Sequence, residues 1–172
     1  MSQHPDNIVM VELDNAAFLP HVVELVAQGH TVTLPLRGNS MRPFLKDGRD
    51  KAVLVAPHCP KVGDVVLAEI GRGHYVLHRI VGLDQQRVTL RGDGNRGNEY
   101  CTLDNIKAKA EAFLRKGRKK ADSTNGRKWL IYSWWWTRLY PVRRYLLFLL
   151  HPHVPARLRP RQKRQDTALP KK

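Results

Sequence analysis

The sequence has little cysteine. Its 172 residues contain only Cys59 and Cys101, with no short-range pairing motif. That pattern indicates neither a disulfide framework nor a zinc site. The reading is a reducing compartment, with no metal and no cofactor. The chain is also short of acid, with 15 Asp+Glu against 30 Lys+Arg and a formal net charge of +15. No stretch of about 18 uncharged apolar residues occurs, so no segment reads as an ordinary membrane-spanning helix. Residues 1–14 hold no basic region followed by an apolar run, so a secretory signal is not expected. There is no internal repeat.

What is present suffices for one domain with a core plus appendages. The excess charge lies at one end. Residues 107–172 hold 19 basic and 3 acidic side chains, and residues 1–106 hold 11 and 12. The first two-thirds is thus a nearly neutral domain. The basic remainder suits anionic lipid, nucleic acid or an acidic partner, and says nothing about the fold.

Phe18, Val22, Val23, Leu25 and Val26 recur at helical spacing, so residues 15–29 read as a helix, capped by Asp14 or Asn15 and stopped by Gly29. His21 on this helix reads as structural or solvent-facing. Residues 31–36 alternate as a strand whose Pro35 suggests an edge or bend. Residues 37–43 form a tight connection. Strands are expected at 51–56, within 62–70, at 74–82 and at 87–90. A loop is expected at 92–95, and a strand or short helix at 106–115. Asp64 and Asp104 read as turn residues, and His58 and Cys59 as loop residues. Five or six short strands without a helix describe a mainly β domain with coiled or barrel-like sheets.

The expected divisions are an N-terminal helix (1–30), the β-domain (31–115), a basic linker (116–128), an amphipathic Trp- and Arg-rich segment (129–150) and a basic disordered tail (151–172). Residues 129–150 admit three readings. Spanning a membrane would be costly, because Arg138, Arg143 and Arg144 each cost about 2.5–3.5 kcal/mol on insertion. An interfacial helix would place Trp134–Trp136 and Tyr140 at the headgroups and the arginines on anionic lipid. A docking helix would pack on a partner or on the domain itself. No nucleic-acid reader motif is visible, so nucleic acid is not the expected partner of the tail.

Four pieces carry the chemistry. They are Gly38-Asn-Ser40-Met41-Arg-Pro43, Val62-Gly63-Asp64-Val65-Val66, Tyr75-Val-Leu-His78-Arg79-Ile80 and Gly92-Asp93-Gly94-Asn95. A serine hydroxyl becomes a useful nucleophile when a neighbouring base takes its proton. Ser40 stands at the end of a strand, two residues after Gly38, where backbone N–H groups near Gly38, Ser40 and Met41 could hold an oxyanion. His78, on a strand, needs little tuning to act as a base at neutral pH. Asp93 could fix its tautomer. His74, four residues along the same strand, shares a face with His78.

Taken together and in order, these pieces resemble the boxes of the signal peptidase I superfamily, which includes the self-cleaving LexA-type repressors. The matching segments are Ser40-Met41-Arg42-Pro43, Lys61-Val-Gly-Asp-Val-Val66, His78-Arg79-Ile80 and Gly92-Asp93-Gly94-Asn95, within roughly residues 31–110. A histidine in the base box, where bacterial signal peptidases and LexA-like proteins carry lysine, resembles the endoplasmic-reticulum and archaeal branch. The resemblance implies a LexA/signal-peptidase-like coiled β-sheet domain, to which this chain is expected to add an N-terminal helix and an α-helical C-terminal appendage. It implies Ser40 as nucleophile, His78 as base and Asp93 as supporting acid, with Glu99 as the substitute acid. The activity implied is a serine endopeptidase acting on a peptide or precursor protein. The alternatives are a non-catalytic or a self-cleaving regulatory module of the same fold. The chain departs from the family at Gly38, where some members carry a hydroxyl residue, and at residues 97–99, where paired acids often stand. The usual N-terminal anchor is not seen, so the expected location is cytoplasmic, held at the inner membrane face through residues 129–172.

Overall fold

The computed structural model describes residues 15–95 and 97–139. The expectations placed on residues 1–14 and 140–172 lie outside the described residues.

The first element is helix α1 (Asn15–Ala27). Val22 and Val26, four apart, are fully buried, and His21 faces solvent. The helix ends where the spacing and Gly29 predict. Gly29 takes φ +89°, its N–H bonds Val26 O, and the N–H of His30 bonds Leu25 O. This paired closure is the usual way a glycine stops a helix.

Eight strands follow: β1 (Val32–Pro35), β2 (Lys51–Val55), β3 (Val65–Gly71), β4 (His74–Asp84), β5 (Arg87–Arg91), β6 (Glu99–Thr102), β7 (Ile106–Leu114) and β8 (Asp122–Ser123). They form one antiparallel sheet in the order β1-β2-β7-β3-β4-β5-β6, with β8 added to β7. The mainly β expectation is met. Pro35 lies on an edge strand, where its missing N–H leaves no ladder bond unmade. Residues 106–114 are a strand, which settles the helix-or-strand alternative.

The sheet separates two buried cores. One gathers Val22, Val26, Leu54, Val65, Leu67, Ala110, Phe113 and Trp129. The other gathers Val66, Ala68, Ile80, Val88, Leu90 and Ile106. Val65 and Val66 go to opposite cores, as adjacent strand residues must.

The segment 116–128, read as a linker, is tied to the sheet. Thr124 is buried and its hydroxyl donates to the carbonyls of Ala110 and Glu111. Asp122 pairs with Arg115 and Arg118. Helix α2 (Arg127–Arg138) then packs Trp129, Tyr132, Ser133 and Trp136 inward at i, i+3, i+4 and i+7. Trp129 meets Phe44 and Phe113 at ring-centroid distances of 4.9 and 4.8 Å. The described start of the tryptophan-rich segment therefore docks on its own domain. Among the described residues no helix is long and apolar enough to cross a membrane.

Candidate active site

Ser40 lies on the connection between β1 and β2. Two apolar side chains fix that loop: Met41 and Leu45 are buried in the larger core, and the N–H of Leu45 bonds Met41 O at 3.1 Å. Asp50 closes it. Its buried carboxylate accepts the Lys46 N–H at 2.9 Å and the Arg49 guanidinium at 2.6 and 2.7 Å. Ser40 is left half-buried at the crown of the loop.

The 92–95 loop holds this crown from behind. The Gly94 N–H donates to Ser40 O at 2.7 Å. A Cβ on Gly92 would stand 2.5 Å from Ser40 O, and one on Gly94 would stand 2.7 Å from Asn39 O. Only glycine permits that approach of two backbones. The Gly-Asp-Gly-Asn sequence thus supports the Ser40 loop through its main chain.

His78 comes from β4, where it pairs with Val66 of β3. Across the sheet, Ile80 pairs with Leu90 of β5, and Leu90 with Glu99 of β6. Side chains two apart on a strand share a face. His78, Ile80, Leu90 and Glu99 therefore stand together, and Glu99 reaches the imidazole from the start of β6. Glu99 Oε2 lies 2.5 Å from His78 Nδ1. The imidazole is 4% exposed and the carboxylate 32%. A carboxylate on Nδ1 places the proton there and leaves the Nε2 lone pair to accept another.

Ser40 and His78 line one cavity of about 140 Å³, together with Gly38, Met41, Tyr75 and Leu77. No hydrogen bond joins the Ser40 hydroxyl to His78. Burial and the charge of Glu69 push the Tyr75 phenol up, so it stays protonated beside the cavity. The Gly38 N–H, one expected oxyanion donor, is engaged by Asp47 Oδ1 at 3.1 Å. The Ser40 and Met41 N–H groups bond no other described residue. These two are the donors left for an oxyanion. Leu36, Arg37, Tyr75 and Leu77 also line an adjoining cavity of about 90 Å³ along β1.

Asp93 does not stand where the sequence reading put it. Its side chain is 2% exposed and accepts both Arg79 Nε, at 2.9 Å, and Arg79 Nη2, at 2.7 Å. Arg79 neighbours His78 on β4 and so points to the opposite face. There it is buried against Trp129 and Tyr132, 4.9 and 5.6 Å from the ring centroids, and donates to Gly63 O and Ser133 Oγ. Burial alone would lower its pKa, but the Asp93 charge outweighs burial and raises it. A buried guanidinium requires a carboxylate, and Asp93 is that carboxylate. The acid at the histidine is Glu99.

Three further features were not visible as site residues in the sequence. Arg79 stood in the base box without a role. Trp136 donates its indole N–H to Asp93 O at 3.0 Å, which ties α2 to the 92–95 loop. The strand β6 that delivers Glu99 is four residues long and was not expected. Among the remaining candidates, His58 and His74 are exposed. Asp64 is buried and paired with Lys109 at 2.9 Å. Among the described residues no group of three or more His, Cys, Asp or Glu is placed to hold a metal ion. No family model matches the chain, and neither a curated protein nor a solved structure matches it.

Proposed function

We propose that this chain is a serine endopeptidase whose β-domain is of the signal peptidase I and LexA type. Ser40 is the nucleophile, His78 the general base and Glu99 the acid that orients the base. The observation that carries the reading is the convergence of Ser40 and His78 on one cavity, with a carboxylate on the far nitrogen of the imidazole. His78 Nε2 takes the proton from Ser40 Oγ as the oxygen attacks a peptide carbonyl carbon. The negative oxygen is received by the N–H groups of Ser40 and Met41. Collapse breaks the C–N bond, and His78 returns the proton to the leaving amine. Water, deprotonated by the same imidazole, then hydrolyses the ester on Ser40. The substrate is a peptide or precursor protein lying along β1.

A serine-reactive fluorophosphonate should label the folded chain at Ser40, and His78→Ala should abolish labelling. Absence of labelling by any of a set of acylating and phosphonylating probes would refute the catalytic reading. The open Ser40–His78 pair favours, as a second reading, a binding module of the same fold. The same experiment separates the two.

A further inference from the structure

Helix α2 has two apolar faces, and the domain covers one of them. Trp129, Tyr132, Ser133 and Trp136 pack inward. On the other side Leu130, Ile131, Trp134 and Trp135 are 49, 59, 52 and 55% exposed. A solvated helix would carry polar side chains at these positions. Between α2 and the turn before β3 is a cavity of about 310 Å³ lined by Val62, Leu130 and Trp134, with Lys61 and Arg138 also in its wall. Val62 adds a fifth exposed apolar side chain, 53% exposed. The carboxylate in that wall, Asp64, is already neutralised by Lys109.

The charge around this face has one sign. Arg127 and Lys128 open the helix and Arg138 ends it, with its guanidinium 4.8 Å from the Trp134 ring centroid. The sequence around and beyond it keeps that sign, with 19 basic and 3 acidic residues over 107–172. Paired tryptophans at half exposure, flanked by arginine and lysine, match a boundary with apolar matter below and anionic groups above. Nucleic acid would satisfy the cations but leave Leu130, Ile131 and Val62 in water.

We propose that the outer face of α2 docks on the surface of an anionic phospholipid bilayer, with Ile131, Trp134 and Trp135 in the interfacial layer and Arg127, Lys128 and Arg138 on the lipid phosphates. Anionic lipid of this kind is characteristic of a cytoplasmic leaflet. The contact leaves Trp129 and Trp136 on the domain, so the helix lies between the β-sheet and the membrane. This inference is independent of whether Ser40 is catalytic.

The test uses the full chain and sedimentation with phosphatidylcholine vesicles, with and without phosphatidylglycerol. The chain should sediment with the anionic vesicles, do so less at high salt, and show a blue shift of tryptophan emission. Trp134→Ala/Trp135→Ala should weaken partitioning on the order of a hundred-fold, from the aromatic area lost to the interface. That variant should also lose the emission shift while keeping the wild-type urea midpoint. Should it fail to fold, Ile131→Ser is the second variant and should weaken partitioning in the same direction. Leu83→Ala, equally apolar but on β4, should bind as the wild type does. The proposal is overturned if the wild type sediments with neither vesicle. It is overturned if the folded tryptophan variant partitions unchanged, which would leave attraction by scattered charge alone. An emission shift with duplex DNA but not with vesicles also overturns it, in favour of nucleic acid.

Discussion

Removing the Asp93 carboxylate should destabilise the fold by stranding the buried guanidinium of Arg79. The guanidinium of Arg79 is 1% exposed. Asp93 supplies two of its four hydrogen bonds and its counter-charge, the other bonds going to Gly63 O and Ser133 Oγ. Asp93→Ala leaves that charge and two donors in a site closed by Trp129 and Tyr132. Breaking one side of a buried pair costs about 3–5 kcal/mol, a large share of the roughly 5–15 kcal/mol that holds an ordinary domain together. Urea unfolding followed by far-UV circular dichroism measures this as a fall in midpoint at unchanged slope. Arg79→Met should cost a comparable amount. Arg79→Met combined with Asp93→Leu should recover part of the loss, because neither charge is then stranded. If Asp93→Ala costs less than about 1 kcal/mol, or the double variant is only the sum of the singles, the pair is not the desolvated unit described above.

Glu99→Gln should have the opposite profile, because its side chain is one-third exposed. Stability should shift by less than about 1 kcal/mol, while acylation of Ser40 by a fluorophosphonate slows about 10²–10⁴-fold; an unchanged rate would remove Glu99 from the site. Gly92→Ala places a methyl 2.5 Å from Ser40 O. Backbone must move, so about 1–3 kcal/mol of stability should be lost, along with Ser40 labelling; a variant that labels normally would contradict the close approach. Asp50 should give the molecule an acid limb. Burial works to raise its pKa, but Arg49 and the N–H groups of Lys46 and Lys116 outweigh burial and hold it below the usual carboxylate range. A lowered folded pKa means the contribution is complete above the unfolded value of about 3.9 and disappears as pH falls through the folded value. The stability gap between wild type and Asp50→Asn should therefore be wide at pH 7 and close in acid. A gap independent of pH would assign Asp50 no such role.

The sequence made the strands legible wherever a strand carries its own pattern. The apolar runs at 51–55 and 65–70 and the alternation at 106–113 belong to strands buried on one or both faces. Strand β6 has no such run. Its four residues alternate between half-buried and exposed and are held by pairing with β5. Nothing local in Glu-Tyr-Cys-Thr announces that. For the same reason Glu99 could be named only as a substitute acid, since its place beside His78 depends on register across three strands. The resemblance points to Asp93, the acid in the more recognisable segment. That carboxylate is taken by Arg79, whose burial under α2 is a long-range event with no trace at positions 92–95.

Adjacent residues on β4 do separate work because a strand alternates. His78 faces the cavity with Ser40, and Arg79 faces α2. The connection between these sides runs through the 92–95 loop. Trp136 bonds Asp93 O, Arg79 bonds the Asp93 carboxylate, and the next residue, Gly94, bonds Ser40 O. A shift of α2 along the sheet would therefore reach the Ser40 loop through these hydrogen-bonded groups. The inner face of α2 has two rings within cation–π distance of Arg79, which resist such a shift. Its outer face has no comparable restraint among the described residues. Whatever binds that outer face acts on an element already fastened to the backbone that holds Ser40.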